Sequence, residues 1–206
     1  MRRIGLLGGS FNPAHRGHRR MSLAAMEALG LDELWWLVSP GNPLKSRVGM
    51  APYAARIASA RAMARGTRIR VSDLERRLGT RFTVDTASAI VRRYPADRFI
   101  WLTGADTVAQ FHQWKEWRRL ARTIPIAVMS RPGYEGSARA ARAMGWLRWF
   151  VHPAATARRW TNWSAPAISL LRLPPDPTSA TRLRALDPDW HLRFARPAPG
   201  AQQEPN

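Results

Sequence analysis

The strongest constraint on the fold is a regular alternation of short apolar runs with helix-forming segments. Each apolar run is closed by glycine, proline or a polar turn, and a segment rich in helix-forming residues follows it. The predicted strands are residues 4–7, 34–40, 68–75, 99–104, 124–130 and 167–173. The predicted helices are 15–29, 53–64, 82–94, 105–111, 114–121, one around 136–144 and a last one from about 179. Parallel strands need helical crossovers, so we expect an α/β, Rossmann-like, doubly wound fold with a mostly parallel sheet and helices on both faces.

Length and composition favour one folded domain. The chain has 206 residues, a hydrophobic fraction of 45% and ten tryptophans, which is enough apolar material for a single core. We expect this domain over residues 1–186. Residues 187–206 are rich in Pro and Ala and are predicted to form a tail that is poorly ordered at its end.

The formal charge of +19 suggests a polyanionic partner. However, all basic residues except Lys45 and Lys115 are arginines, and they are spread along the chain beside many alanines rather than gathered in a block. This distribution favours arginine on ordinary solvated faces over a dedicated nucleic-acid groove. The surplus charge would still attract phosphorylated substrates.

The cellular setting is constrained by what the sequence lacks. Without cysteine, neither disulfides nor thiolate chemistry is available, which fits a reducing compartment. No apolar run approaches the length of a membrane span, and the first apolar run is too short for a signal-peptide core. We therefore expect a cytoplasmic protein with no membrane partner.

The residues that follow the predicted strands indicate the site. In an open parallel sheet, ligands bind beyond the carboxyl ends of the strands, near the point where the strand order reverses. That edge would collect glycines, histidines, a lysine, an aspartate, an arginine and a group of hydroxyls from residues 8–18, 39–47, 103–114, 130–134 and 174–184. This combination predicts a pocket for a nucleoside triphosphate.

The first of these segments, GGSFNPAHRGH at residues 8–18, allows three interpretations: a plain turn, a metal site or a phosphate loop. It is neither the dinucleotide-binding Gly-x-Gly-x-x-Gly pattern nor a Walker loop. A metal site at His15 and His18 would need a further ligand, and no other histidine has the spacing of a zinc motif. Imidazole donors beside a helix N-terminus can stabilise phosphoryl charge, so the phosphate loop is favoured.

Hydroxyl side chains precede the last predicted helix. Thr178, Ser179 and Thr181 could simply cap that helix. Arg184 follows one turn later, and a helix N-terminus, hydroxyls and an arginine together form an anion site. The position of Arg184 therefore favours an anion site over capping alone.

Two signatures resemble those of a known superfamily. Residues 9–18, GSFNPAHRGH, resemble the G-[ST]-F-[DN]-P-x-H-x-G-H signature of the HxGH nucleotidyltransferases, and residues 178–184, TSATRLR, are similar to its second signature, I-S-x-T-x-I-R. Within that superfamily, FTVDT (82–86), TGADTVAQFHQWKEW (103–117) and MSRPGY (129–134) resemble the bacterial nicotinate-nucleotide adenylyltransferases. The resemblance covers about residues 4–186.

The resemblance implies transfer of AMP from ATP, with Mg²⁺, to nicotinate mononucleotide. It implies that the ATP contacts are Gly8, Gly9, Ser10, Phe11, His15, His18, Gly104, Asp106, Ser179, Thr181 and Arg184. The implied catalytic set is His15, His18, Lys45 and Arg184. No metal ligand set from the protein is expected.

The resemblance also implies how the acceptor is bound. The implied contacts are Asn42, Lys45, Thr83, Val84, Trp114, Lys115 and Arg131. Trp114 would stack on the pyridine ring, and backbone groups near Thr83, Val84 and Lys115 would receive the carboxylate. The alternatives are that Thr83 only caps its helix and that Trp114 and Trp117 are a core pair; we favour stacking for Trp114 and the core for Trp117.

Several positions depart from the family pattern. Asn12 stands where Asp is commoner, residues 42–44 are Asn-Pro-Leu where many members have Pro-Pro-His, Ser130 stands where many have arginine, and Thr178 replaces an apolar residue. The tryptophan-rich stretch 146–163 has no predicted role. Two alternative functions compete with this one: the same adenylyl transfer to nicotinamide mononucleotide or to phosphopantetheine, and nucleic-acid binding by a non-enzymatic basic protein. Under the favoured function no nucleic-acid partner is expected. The oligomeric state stays open.

Overall fold

A computed structural model describes residues 1–41, 49–130, 136, 140–174, 176 and 178–194. Within this part of the chain, seven strands form one sheet in the order β3-β2-β1-β4-β5-β7-β6, and every pair of neighbours is parallel. The strands are β1 (Arg3–Gly9), β2 (Glu33–Val38), β3 (Ile69–Ser72), β4 (Arg98–Gly104), β5 (Ile126–Ser130), β6 (Val151–His152) and β7 (Ile168–Arg172). The predicted parallel α/β fold is confirmed. Strand β6, only two residues long, was not predicted because so short a run has no visible periodicity.

Helices cover both faces of the sheet. The α-helices are α1 (Arg16–Leu29), α2 (Tyr53–Ala64), α3 (Leu74–Arg77), α4 (Thr83–Arg93), α5 (Ala105–Val108) and α6 (Trp117–Thr123), followed by Met144–Leu147 and a C-terminal helix, Ala180–Leu186. The 3₁₀ segments are Phe111–Gln113, Arg148–Phe150, Ala154–Asn162 and Trp190–Phe194. Within the described ranges, every helix is too short or too polar to cross a lipid bilayer.

Several predicted boundaries are wrong, and the helix predicted around residues 136–144 lies partly outside the described residues. The third strand ends at Ser72, and Leu74–Arg77 form α3, because all four residues are good helix formers. The helix predicted from residue 114 begins only at Trp117, since Glu116 has a left-handed backbone with φ of 46°. Trp114 therefore lies in extended backbone after a 3₁₀ turn.

The core has one layer on each face of the sheet, because neighbouring residues of a strand point in opposite directions. Leu6 of β1 packs in the layer that contains helices α4 and α6, whereas Leu7 packs in the layer that contains α1 and α2. Trp160, from the tryptophan-rich stretch, completes this second layer: it is 1% exposed, and its indole N–H donates to the Leu29 carbonyl at 3.0 Å. Trp160 thus covers α1, whereas Trp146, at the other end of the stretch, packs in the first layer.

The strand order places one crevice at the centre of the sheet. Strand β1 lies between β2 and β4, and the order of the strands along the chain reverses at β1 and β4. Ligands of doubly wound sheets bind at such a point, beyond the carboxyl ends of the strands. Gly9 and Gly104 end these two central strands and therefore border the crevice.

Candidate functional site

A cleft of about 820 Å³ opens at this crevice. Among the predicted site residues, those that line it are Gly8, Gly9, Ser10, Phe11, His15, His18, Thr83, Gly104, Asp106, Trp114, Lys115 and Ser179. Val84, Thr181 and Arg184 lie outside its lining, and Asn42, Lys45 and Arg131 fall outside the described residues. One cleft thus joins both signatures to the tryptophan-containing segment.

The cleft has two sides, which we name by their most distinctive residues. The histidine side consists of residues 10–18 and 178–180, and the tryptophan side consists of residues 81–83 and 113–115. On the histidine side, the first loop turns directly from β1 into α1. Because His15 is the N-cap of α1, this side places a helix N-terminus in the cleft.

The two histidines pack against each other. Their ring centroids are 3.8 Å apart, and His15 is 7% exposed. The backbone N–H of His15 donates to Nδ1 of His18 at 3.2 Å, as part of a capping box. With Nδ1 accepting, a neutral His18 holds its proton on Nε2, so its other ring nitrogen is a donor.

Aromatic packing and a glycine bring the histidines to the cleft. Phe11 stacks on Trp36 at 4.9 Å and contacts the His18 ring at 5.0 Å, in a left-handed conformation with φ of 47° that is rare for a phenylalanine. A Cβ on Gly17 would lie 3.0 Å from the His15 ring and 3.3 Å from the Thr178 carbonyl. Glycine at position 17 therefore allows the two signatures to approach each other.

Asp176 holds the second signature against α1. Its Oδ1 accepts the backbone N–H of Thr178 at 2.9 Å, and its Oδ2 lies 3.2 Å from Arg20 Nη1 and 3.5 Å from Arg16 Nε. Hydrogen bonds from Thr178, together with these arginines, lower the pKa of Asp176 to about 2. The carboxylate therefore stays ionised across the physiological range.

A hydrogen bond between Arg184 and Asn12 joins the C-terminal helix to the first loop. Arg184 Nη1 donates to the Asn12 carbonyl at 2.6 Å, so the C-terminal helix is bonded to the first loop. The Asn12 side chain donates from Nδ2 to the Gly49 carbonyl at 2.9 Å, and its Oδ1 accepts the Ala51 N–H at 3.2 Å. An aspartate, the commoner residue here, could accept from Ala51 but could not donate to Gly49, so this departure has a structural consequence.

The tryptophan side is more open. Thr83 begins α4 and lines this part of the cleft, whereas Val84 is 1% exposed and lies outside the lining. Lys115 Nζ lies 3.4 Å from Asp85 Oδ2 and 4.5 Å from the centroid of the Phe82 ring. Trp114 lines the cleft with Phe111 beside it at 5.2 Å, whereas Trp117 packs against Trp146 at 5.5 Å.

Two functional candidates were not predicted. Glu75 lines the cleft, is nearly buried and is hydrogen-bonded to Ser39; burial raises its pKa to about 7. The sequence predicts Glu75 as the last residue of a strand, whereas it lies in α3, so its place in the cleft could not be predicted. Arg56, on α2, is 1% exposed and contacts the backbone of the first loop, and no local signal separates it from the many other arginines.

The candidate metal ligands of the described ranges do not form a cluster. There, no three His, Cys, Asp or Glu side chains gather closely enough to hold a metal ion. Glu75 and Asp106 are the carboxylates that line the cleft.

Comparisons with known proteins agree with this geometry. The Cytidylyltransferase-like family model matches residues 6–185. A protein of Erythrobacter litoralis named "Probable nicotinate-nucleotide adenylyltransferase" is 58% identical over 93% of this chain and 88% of its own length. A protein of Parvibaculum lavamentivorans with the same name is 50% identical over 93% of this chain and 94% of its own length.

A solved structure shares the fold at low sequence identity. The Plasmodium falciparum nicotinic acid mononucleotide adenylyltransferase complexed with NaAD superposes with a TM-score of 0.64 at 16% identity, over 90% of this chain and 83% of that one. The family model and the two bacterial relatives span nearly all of the described domain. The chain therefore belongs to the cytidylyltransferase-like family and, within it, to the nicotinate-nucleotide adenylyltransferases.

Proposed function

We infer that the chain transfers the adenylyl group of ATP to nicotinate mononucleotide, giving nicotinate adenine dinucleotide and pyrophosphate in NAD biosynthesis. The observation that carries this function is the single cleft in which both nucleotidyltransferase signatures face Trp114 and the start of α4. The bacterial relatives bear the name of this activity. The Plasmodium neighbour binds NaAD, the product of such a transfer, in a protein of the same fold.

The reaction needs alignment more than acid–base chemistry. A phosphate oxygen of the mononucleotide attacks the α-phosphorus of ATP, and the bond from that phosphorus to the bridging oxygen breaks as pyrophosphate leaves. The attacking oxygen is already anionic, so a general base is unnecessary. The protein has to place the two anions in line and neutralise the charge that develops on the phosphoryl oxygens.

The histidine side suits the triphosphate. The Nε2 donor of His18 and the ring of His15 lie beside the N-terminus of α1, where a phosphate gains from backbone N–H groups. Gly8, Gly9, Ser10 and Phe11 would border the nucleotide, and Asp106, beyond Gly104, would bond its sugar. Ser179 would meet ATP from the opposite edge, while Thr181 and Arg184 would need to reach it from outside the lining.

The tryptophan side suits the mononucleotide. Trp114 offers a face for the pyridine ring, and the N–H groups near Thr83 and Val84 favour a carboxylate over an amide because of the helix dipole. Lys115 adds a positive charge there. Roles for Asn42, Lys45 and Arg131 remain predictions from the sequence.

Mg²⁺ would enter with ATP. The separate carboxylates of the cleft fit an ion that is held mainly by phosphate oxygens and water rather than by a protein cage. When bound, the ion supplies charge neutralisation at the phosphates.

The decisive experiment is pyrophosphate release from ATP and Mg²⁺ with each acceptor supplied separately. We expect release with nicotinate mononucleotide and much less with nicotinamide mononucleotide or phosphopantetheine. Release with nicotinamide mononucleotide or phosphopantetheine, and none with nicotinate mononucleotide, would show that the acceptor is a different one. No release with any acceptor, together with salt-steep binding to nucleic acid, would favour the non-enzymatic alternative.

A further inference from the structure

Arg56 is a buried cation behind the first loop. It lies on α2 and is 1% exposed, although a buried charge is costly unless it is well hydrogen-bonded. Within the described chain, its hydrogen bonds all end on backbone carbonyls: Nε on Ala51 at 3.1 Å, Nη1 on Ser10 and Ser39 at 2.7 Å each, and Nη2 on Pro40 at 3.4 Å.

These four carbonyls belong to three separate stretches of chain. Ser10 follows β1 in the first loop, Ser39 and Pro40 follow β2, and Ala51 comes just before α2. Ser10 and Ser39 both line the cleft. The planar fork of one guanidinium therefore fixes the exits of two neighbouring strands relative to each other, which the single ammonium of a lysine could not do.

A second contact supports the same junction. The Asn12 side chain is hydrogen-bonded to Gly49 and Ala51, so the first loop is held against the chain before α2 at Asn12 as well as through Arg56 at Ser10. Burial lowers the pKa of Arg56, but an arginine keeps its proton at neutral pH. A full positive charge therefore lies directly behind Ser10 and Ser39, in a site for anions.

We propose that Arg56 is a positioning residue for adenylyl transfer: it fixes the loop after β1 against the exit of β2, so that the phosphates on the two sides of the cleft meet in line. This role rests on the function proposed above. It is distinct from a contribution to folding alone, because an in-line geometry is sensitive to displacements of about 1 Å that leave the fold intact.

The test uses the full-length chain with Arg56→Lys and Arg56→Ala, and Arg61→Ala as the matched control, since Arg61 is exposed on the same helix. Pyrophosphate release gives kcat and the KM values, and the thermal midpoint reports folding. We expect Arg56→Lys to fold with kcat reduced at least about tenfold and the KM for ATP changed much less. Free guanidinium ion at millimolar concentration should partly restore kcat in Arg56→Ala, whereas sodium ion should not, and Arg61→Ala should behave like the unmodified chain.

Either of two results overturns the positioning role. One is a folded Arg56→Lys protein with kcat within about twofold of the unmodified chain. The other is a loss of kcat that only follows the folded fraction and is not rescued by guanidinium. If Arg56→Ala does not fold, Arg56→Lys decides alone. An unmodified chain that releases no pyrophosphate with any acceptor would instead overturn the proposed function, and the role of Arg56 with it.

Discussion

The two sides of the cleft differ in how firmly they are held. On the histidine side, Phe11, Asn12 and His15 are buried, and hydrogen bonds from α2 and the C-terminal helix end on the first loop. On the tryptophan side, Arg81 and Lys115 are exposed, and Lys115 makes a long ion pair with Asp85. In the proposed function, the chemistry that depends on alignment belongs to the rigid side, whereas the choice of acceptor belongs to a side with room to adjust.

The largest effect is expected on the rigid side, from His18→Ala. Loss of one preorganised donor to a developing phosphoryl charge typically lowers kcat by about 10²–10³. The KM for nicotinate mononucleotide should change little, because the tryptophan side is untouched. Steady-state pyrophosphate release measures both, with His191→Ala as the control because His191, in the Trp190–Phe194 segment, is not among the residues that line the cleft. Turnover of His18→Ala near that of the control would contradict the assignment of His18.

Glu75→Gln tests the buried acid of the cleft, which belongs to neither of the two named sides. An acid whose pKa rises from 4.5 to about 7 on folding binds its proton more tightly in the folded chain. Stability should therefore fall as the pH rises from about 4.5 to about 7 and stay level above that. The glutamine side chain stays neutral, so the variant should lack this fall and gain up to about 3 kcal/mol at pH 8, since one pKa unit corresponds to about 1.36 kcal/mol.

Thermal midpoints between pH 5 and pH 8 would measure this difference. Exposed Glu27, on α1, provides the control variant Glu27→Gln. In the same range, the KM of the unmodified chain for its anionic acceptor should rise above pH 7, because an ionised Glu75 would repel it, and the rise should be absent in Glu75→Gln. Parallel stability curves for Glu75→Gln and the unmodified chain would show that Glu75 is not buried as a neutral acid.

The same contrast explains what the sequence could predict. Local sequence patterns predict the central strands, the boundaries of α1 and its C-cap at Gly30. A contiguous motif with chemical meaning predicts the histidine loop. Arg56 and Glu75 could not be found this way, because their importance comes from burial against segments distant in sequence. Trp114 was located, but its backbone was wrongly predicted as helical because the left-handed Glu116 has no local signature.

Trp114→Ala should mainly affect the acceptor. Stacking of a base on an aromatic side chain is worth about 1–3 kcal/mol, so the KM for nicotinate mononucleotide should rise about tenfold or more. The KM for ATP should stay nearly constant. Trp114→Phe should recover part of the loss, and Trp149→Ala is the control because Trp149 is 74% exposed on another surface. An equal rise in both KM values would mean that the two sides are not separable.

Asn12→Asp is expected to have the smallest effect, and it tests how the rigid side is tied. The aspartate can still accept the Ala51 N–H, but it loses the donor to the Gly49 carbonyl and sets a negative charge against that oxygen. The lost hydrogen bond should cost about 1 kcal/mol, or about 2–4 °C in the thermal midpoint of a chain this long. Asn12→Ala lacks both bonds and should lose more stability.

A double-mutant cycle tests whether the two sides are coupled. The effects of Asn12→Asp and Trp114→Ala on kcat should be additive, because the two residues lie on opposite sides of the cleft. Asn12→Asp with an unchanged midpoint would show that the Gly49 bond adds no stability, and non-additivity in kcat would show that the rigid side and the open side move together.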